Sequence, residues 1–358
     1  MFISSKKWLK IFFIITIFFT LLVPIYNYLI DYNAIFDHKF SQSYRAVSQG
    51  AQLLTKGISI QRPPYNRNQF FLLTDLYSST QTPEILILGT SRTFTISQND
   101  FHEETPRILN ASINGGNFPG IVATWQSFKK THQTEDLIVI VEISPDAHKH
   151  AFAVEFGSFN PRVDALVKEF TAEYPELTFT PVNQILKKNH LFSLDYFLKN
   201  ILAEWTNAFT PATSDVYGII KPDGSNRYPQ FTMDIINAEK QKNADLLTEK
   251  FQKVGQMQGD HMSPFLSIIT EDIIASGATP IFLLPPYHPS TYDDTLEKSN
   301  ILVFTENWVR EFAEQHDIMV LGSYNPHMFH LTDEFFLDGN HTFENAWGKI
   351  LNTYRISK

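Results

Sequence analysis

Five short aliphatic runs constrain the fold more than any other feature of the chain: Ile85 to Leu88, Ile108 to Ala111, Leu137 to Ile143, Thr279 to Leu284 and Ile318 to Leu321. Each is bounded by turn residues and lacks the polar–apolar alternation of a half-exposed strand. That is the pattern of strands buried on both faces of a parallel sheet. Between them lie segments with helical periodicity at Ile121 to His132, Pro264 to Ser276 and Thr295 to His316, with Gly277 in the position that ends the second. A last helix is expected from near Thr342 toward Tyr354. Strands alternating with amphipathic helices predict an α/β three-layer sandwich around a central parallel sheet of about five strands.

The alternation is interrupted over 145–260, after the third strand. Helical patterns occur at Val163 to Phe170 and Leu191 to Trp205, followed by a Pro222-Asp-Gly224 turn and a charged helix around Met233 to Met257. A mainly helical insertion at this point is expected beside the strand ends, where ligands bind in open α/β sheets. Its aromatic residues, including Phe192, Tyr196, Phe197, Trp205 and Phe209, read as core rather than as a sugar-stacking platform. Residues 31–82 are polar and aromatic without sustained periodicity, and Arg62-Pro-Pro-Tyr65 resists helix or strand, so this segment reads as a stalk that packs partly on the domain.

Ahead of the stalk, Ile11 to Ile30 is predominantly apolar and long enough to span a bilayer, with Lys6, Lys7 and Lys10 before it. The lysines favour a cytoplasmic N-terminus at 1–10, a single transmembrane helix at 11–30 and the domain at 83–358 on the periplasmic or extracytoplasmic side of the inner (cytoplasmic) membrane. Trp8, Tyr26, Tyr28 and Tyr32 sit where interfacial aromatics belong. A cleaved signal peptide is the competing reading; the longer apolar run and the lack of a small-x-small cleavage site favour the anchor. The chain has no cysteine, which fits an oxidising compartment and excludes thiol catalysis and cysteine-ligated metal. Its formal net charge is −9, more negative still once the three N-terminal lysines are set aside, which argues against a nucleic-acid partner.

Two stretches at opposite ends of the domain carry the candidate chemistry. In Ile85-Leu-Ile-Leu-Gly-Thr-Ser91-Arg92 a serine follows a buried strand by a two-residue turn, which places its hydroxyl at the carboxyl edge of the sheet. Such a hydroxyl needs a base to act as a nucleophile. In Phe336-Leu-Asp338-Gly-Asn-His341 an aspartate and a histidine lie three residues apart, so one turn supplies an imidazole base and the carboxylate that orients it. An α/β-hydrolase would instead show Gly-x-Ser-x-Gly, where this chain has Gly89-Thr-Ser91-Arg-Thr93.

In this order, at the two ends of a flavodoxin-like pattern, these motifs resemble the SGNH (GDSL-like) hydrolase superfamily, whose nucleophile follows the first strand and whose Asp-x-x-His precedes the final helix. The resemblance covers roughly Pro83 to Tyr354 without the insertion. It implies catalytic roles for Ser91, Asp338 and His341. The run Leu109-Asn110-Ala-Ser-Ile-Asn114-Gly115-Gly116 corresponds to the superfamily's asparagine and oxyanion-hole glycine, implying an oxyanion donor at Gly115 or Gly116. The chain departs from the pattern after the third strand, where Val141-Glu-Ile-Ser144-Pro-Asp146 stands in place of Gly-x-Asn-Asp; Ser144, Asn114 or Asn117 are the candidate substitutes. Arg92 either binds an anionic group of the substrate or pairs with a surface acid, and His288 either lines the pocket or belongs to a structural turn.

The departure, with the Leu284-Pro-Pro-Tyr-His288-Pro289 turn, is similar to the membrane-anchored envelope branch that includes alginate-acetylation and teichoic-acid D-alanylation proteins. That resemblance implies an esterase or O-acyltransferase acting on an envelope carbohydrate without a cofactor. The alternative is a catalytically inactive relative that binds polysaccharide or scaffolds a membrane acyltransferase. Asp146, His148 and His150, and His327 with His330, raise the idea of a metal-dependent phosphoesterase, but no His-Glu-x-x-His or comparable frame accompanies them and no metal is expected.

Overall fold

A computed structural model describes residues 5–32, 34–36, 38–62, 69–101, 106–114, 118–145, 161–176, 189–206, 209–213, 218–229, 244–249, 251 and 263–354. The five aliphatic runs form strands β1 (Ile85–Leu88), β2 (Ile108–Asn110), β3 (Ile138–Glu142), β4 (Thr279–Leu284) and β5 (Met319–Gly322). They make one parallel sheet in the order β2-β1-β3-β4-β5. In register, Ile85 lies opposite both Ile108 and Ile138, and Ile281 lies opposite Met319. Because the chain moves to one side of β1 to form β2 and to the other to form β3, the carboxyl ends of β1 and β3 flank a topological switch point.

Successive strand residues point to opposite faces, and the two faces belong to different cores. Leu86, Leu88, Val139, Val141, Phe282 and Leu284 join a large cluster with the helices Gln42–Thr55, Gln69–Tyr77, Phe118–Lys129, Pro161–Glu173, Ser263–Ala275 and Ile301–Gln315. Ile85, Ile87, Ile138, Ile140, Ile281 and Leu283 pack on the other side against Phe336 and the C-terminal helix Glu344–Leu351, whose Trp347 is fully buried. The C-terminal helix begins after Thr342 because Thr342 is held in an antiparallel bridge with Phe336.

Three local differences from expectation have physical causes. The helix expected over Thr295 to His316 is two helices, Pro289–Lys298 and Ile301–Gln315. The break falls at Ser299, whose extended backbone and side chain, accepting from the Ile301 N–H, favour a helix boundary. Segment 31–82, read as a stalk, contains two helices whose residues Val47, Ala51, Leu54, Phe70 to Leu73 and Leu76 belong to the main core. In the insertion, the helix Pro161–Glu173 also enters that core through Val163, Val167 and Phe170, and residues 244–249 are helical, whereas the remainder of the charged helix expected over 233–257 falls, apart from Phe251, outside the described residues.

A small antiparallel sheet of Ile60–Gln61, Ile219–Ile220 and Asn226–Arg227 joins the segment before the domain to the insertion. Its tight turn docks on the carboxyl end of β2, where the Asn110 N–H donates to the Asp223 carbonyl at 2.7 Å. Gly224 is required in that turn: its φ is +80°, and a Cβ there would lie 2.3 Å from the Asn110 carbonyl oxygen. The insertion thus reaches the strand ends, as expected. The N-terminal helix Ser5–Ile30, with one π-helical turn at Phe18–Leu22, is long and apolar enough to cross a membrane.

Candidate active site

The turn after β1 is shaped by a buried carboxylate. Glu142, the last residue of β3, accepts the Thr90 N–H at 2.6 Å and the Thr93 hydroxyl at 3.1 Å on one oxygen, and the Thr90 hydroxyl at 2.9 Å on the other. Gly89 allows this approach, since a Cβ there would lie 2.2 Å from the Thr93 hydroxyl and 2.7 Å from Glu142. Ser91 follows, half-buried, and among the described residues none accepts a hydrogen bond from its N–H.

The second half of the site is a tight turn between Phe336 and Thr342, closed by the Leu337 N–H donating to the His341 carbonyl at 2.8 Å. Within it Asp338 accepts the N–H groups of Asn340 and His341 at 3.0 and 2.9 Å, and the His341 Nδ1 lies 2.8 and 2.9 Å from its two carboxylate oxygens. A carboxylate only accepts, so Nδ1 carries the proton and Nε2 of the neutral ring is the acceptor. The Ser91 hydroxyl lies 2.8 Å from that Nε2. Burial by itself would raise the Asp338 carboxyl, but the hydrogen bond and charge of His341 and the two backbone N–H groups outweigh it and hold the group below its ordinary range.

Arg92 is neither a surface ion-pair partner nor an open anion receptor. Its buried guanidinium donates to the carbonyls of Asn340 at 3.2 Å, Pro285 at 2.6 Å and Pro286 at 3.2 Å, to the Tyr287 hydroxyl at 2.9 Å and to the Ser144 hydroxyl at 3.3 Å, and it stacks over the Tyr287 ring. It therefore ties the serine turn to the histidine turn and to the loop after β4. His288 is also engaged structurally: its Nδ1 accepts the Ser290 N–H at the start of a helix, its Nε2 lies 3.3 Å from Asp333, and its backbone N–H holds the Gly339 carbonyl.

Of the residues expected to complete an oxyanion site, only Ser144 and Asn114 are described. Ser144 is buried beneath Arg92, Asn114 is exposed, and Gly115, Gly116 and Asn117 lie outside the described residues, as do Asp146, His148 and His150. Asn110 spends its side-chain amide on the Thr93 and Ile96 carbonyls, both at 2.8 Å, and so shapes the loop beyond Ser91. His327 pairs with Asp293, and among the described residues no group of three or more metal-ligating side chains occurs.

Two neighbours of the site went unread in the sequence. Glu142 carried a signal, because a carboxylate ending an otherwise aliphatic buried strand requires donors. Tyr228, from the insertion, carried none: its hydroxyl donates to the Ser91 carbonyl at 3.3 Å and its ring packs edge-on to His341. Burial, then the nearby Asp338 charge, raises the Tyr228 hydroxyl above its ordinary range against the opposing effect of Arg62, so it stays protonated. Tyr228, Arg227 and Thr95 together with Phe343, Glu344, Asn345 and Glu334 line a cavity of about 270 Å³ beside the histidine turn. In comparisons with known proteins, no family model, curated protein or solved structure matches this chain.

Proposed function

We propose that the protein is a serine esterase or O-acyltransferase of SGNH-like type, anchored by one helix in the inner membrane, with its domain on the extracytoplasmic side and an acylated envelope carbohydrate as substrate. The observation that carries this reading is the continuous line from the Ser91 hydroxyl through His341 to Asp338, made by residues from opposite ends of the domain. Its position at the switch point of the sheet and the strand order support the same reading. The cavity lined in part by Tyr228, whose ring packs edge-on to His341, offers aromatic rings with carboxylate and guanidinium groups, a lining suited to a hydroxylated acceptor.

In this reaction the Ser91 oxygen attacks the ester carbonyl as its proton passes to His341 Nε2. The Asp338 carboxylate balances the imidazolium and keeps Nδ1–H in line. The Ser91 N–H receives the developing oxyanion, and the family resemblance assigns the second donor to Gly115, which lies outside the described residues. Collapse breaks the ester C–O bond, and His341 returns the proton to the departing alcohol. A water or sugar hydroxyl, deprotonated by His341, then attacks the acyl-serine and releases Ser91; which acceptor enters decides between hydrolysis and transfer. The test is intact-protein mass spectrometry after brief exposure to an activated acetyl ester. An acetyl adduct mapped to Ser91 and absent from Ser91→Ala is expected, and an adduct elsewhere, or none, contradicts the proposal.

One observation favours a second reading, a silent relative that binds polysaccharide or scaffolds an acyltransferase. The Ile143-Ser-Pro-Asp146 stretch right after β3 contains no asparagine, and the Ser144 hydroxyl there is taken by Arg92. Under that reading Ser91 takes up no acyl group while the chain still binds polysaccharide.

A further inference from the structure

The helix Leu194–Thr206 is bound to the apolar N-terminal helix by more than packing. The Asn27 side-chain amide donates to the carbonyls of His190, Leu191 and Ser193 at 2.9–3.1 Å and accepts from the Asn200 amide at 3.0 Å. Just beyond, the Asn200 side chain accepts the Tyr32 N–H, and Asp31 accepts the Tyr196 hydroxyl at 2.8 Å. Phe197 on the same helix packs edge-on against both Tyr26 and Phe18. Phe18 precedes the end of the apolar helix at Ile30 by twelve residues, about 18 Å of helix at 1.5 Å per residue. With a hydrocarbon layer of about 30 Å, a partner of Phe18 lies at membrane depth.

At about 100° per residue, Tyr196, Asn200 and Ala203 face one way, and all three are buried. Asp195 and Lys199 share another face, exposed and paired at 2.7 Å. Between that charged row and Phe197 lies a third face with Leu194, Leu198 and Leu202, which are 43%, 53% and 58% exposed, and Phe192, immediately before the helix, is 56% exposed. The exposed apolar stripe thus runs beside Phe197, which packs on the N-terminal helix, and roughly opposite the face that Tyr196 and Asn200 present to Asp31 and Asn27.

We propose that this helix is a second membrane element: it lies in the interface of the leaflet entered by Phe18–Ile30, with its leucine stripe and Phe192 in the acyl region and the Asp195–Lys199 pair toward the headgroups. The proposal rests on the N-terminal helix being membrane-inserted. Two contacts with the bilayer, locked together through Asn27 and Asn200, would fix the orientation of the domain above the membrane and hold Ser91 at a constant height.

The chain lacks cysteine, so single cysteines can be introduced cleanly into the full-length protein and labelled with an environment-sensitive fluorophore. The labelled proteins are reconstituted in phosphatidylcholine–phosphatidylglycerol vesicles containing lipids with a nitroxide in the upper acyl chain. Labels at Leu198→Cys and Leu194→Cys are expected to be quenched severalfold more than labels at Lys199→Cys, on the charged face, or at Leu296→Cys, an exposed leucine of the distant helix Pro289–Lys298. Quenching at 194 and 198 no greater than at 296, while a label at Phe13→Cys in the N-terminal helix is quenched, overturns the interfacial helix and leaves the anchor standing. Disulfide-linked dimers of Leu198→Cys without lipid quenching overturn it in favour of a second copy on the stripe. Absence of quenching at Phe13 removes the anchor, and the proposal with it.

Discussion

Replacing Arg92 with Met should separate the two halves of the site without touching Ser91, His341 or Asp338. Met retains much of the aliphatic volume and removes the guanidinium. The carbonyls of Asn340, Pro285 and Pro286 and the hydroxyls of Tyr287 and Ser144 then lose their common donor in a buried environment. Hydrogen bonds to a charged group contribute about 1.5–3 kcal/mol each, and a buried acceptor without a donor costs about 1–3 kcal/mol. The desolvation cost of the guanidinium, which Met does not incur, offsets part of this sum. The net expected loss is about 3–5 kcal/mol, large for any single substitution. The assay is urea denaturation of the detergent-solubilised full chain followed by near-ultraviolet circular dichroism, with the rate of Ser91 acylation measured under folding conditions. Because Asn340 lies in the turn that carries His341, acylation should slow even where the variant remains fully folded. Arg92→Lys should recover only part of the loss, since one ammonium cannot reproduce the planar fork. A midpoint for Arg92→Met within about 0.5 kcal/mol of the parent, a shift ordinary for surface positions, would refute the assignment of Arg92 as the tie between the two turns.

Further outcomes follow from the same network. Glu142→Gln should cost no more than about 1 kcal/mol, because an amide can accept from the Thr90 N–H through its oxygen and donate to the Thr90 hydroxyl, whereas Glu142→Ala, which leaves that N–H without an acceptor, should cost about 3 kcal/mol or more; equal midpoints in denaturation would count against the carboxylate's role. Gly89→Ala should destabilise by about 1–3 kcal/mol through the clash of its methyl group with Thr93 and Glu142, measured the same way, and an unchanged midpoint would contradict the packing. Asp100 should make stability pH-dependent. Burial raises its carboxyl to about 6, outweighing the Ser97 hydrogen bonds, so the folded chain holds this proton more tightly than the unfolded chain. Its contribution is therefore present below the ordinary pKa of 3.8 and is lost as pH rises through about 6, on the order of 3 kcal/mol in all. Asp100→Asn should flatten the stability profile between pH 4 and pH 6 by roughly that amount, and an unaltered slope would show that the carboxyl is not responsible.

The sheet was legible because β1 to β4 are buried on both faces almost throughout, and β5 over its second half, which leaves short aliphatic runs with abrupt ends. The helices of segment 31–82 were hidden for opposite reasons. Gln42–Thr55 carries a stripe at helical spacing, Ser43, Ala46, Val47, Gly50, Ala51 and Leu54, but most of it is small residues, with Gly50 tight against Phe209, so little large apolar surface marks its inner face. Gln69–Tyr77 is buried on nearly all sides and shows no periodicity at all. At the site, the convergence of Ser91, Asp338 and His341 could be anticipated because each follows the end of a strand or precedes the last helix, positions that a parallel sheet brings to one edge. Arg92 misled because a charged residue beside the candidate serine looks available to substrate or to a surface acid, and only the fold shows three carbonyls closing on it. Tyr228 was out of reach, since an insertion's register against the domain depends on contacts such as Asn110 with Asp223 that no local pattern records.

Activation of the Ser91 hydroxyl by His341, as proposed, is open to direct measurement. A fluorophosphonate probe, which reacts covalently with a base-activated serine and leaves most other hydroxyls untouched, addresses it directly in the detergent-solubilised full chain. A single adduct on Ser91 is expected, lost in Ser91→Ala and formed at a rate at least about a hundredfold lower in His341→Ala. Labelling that persists in Ser91→Ala, or a correctly folded parent that does not react, would contradict it.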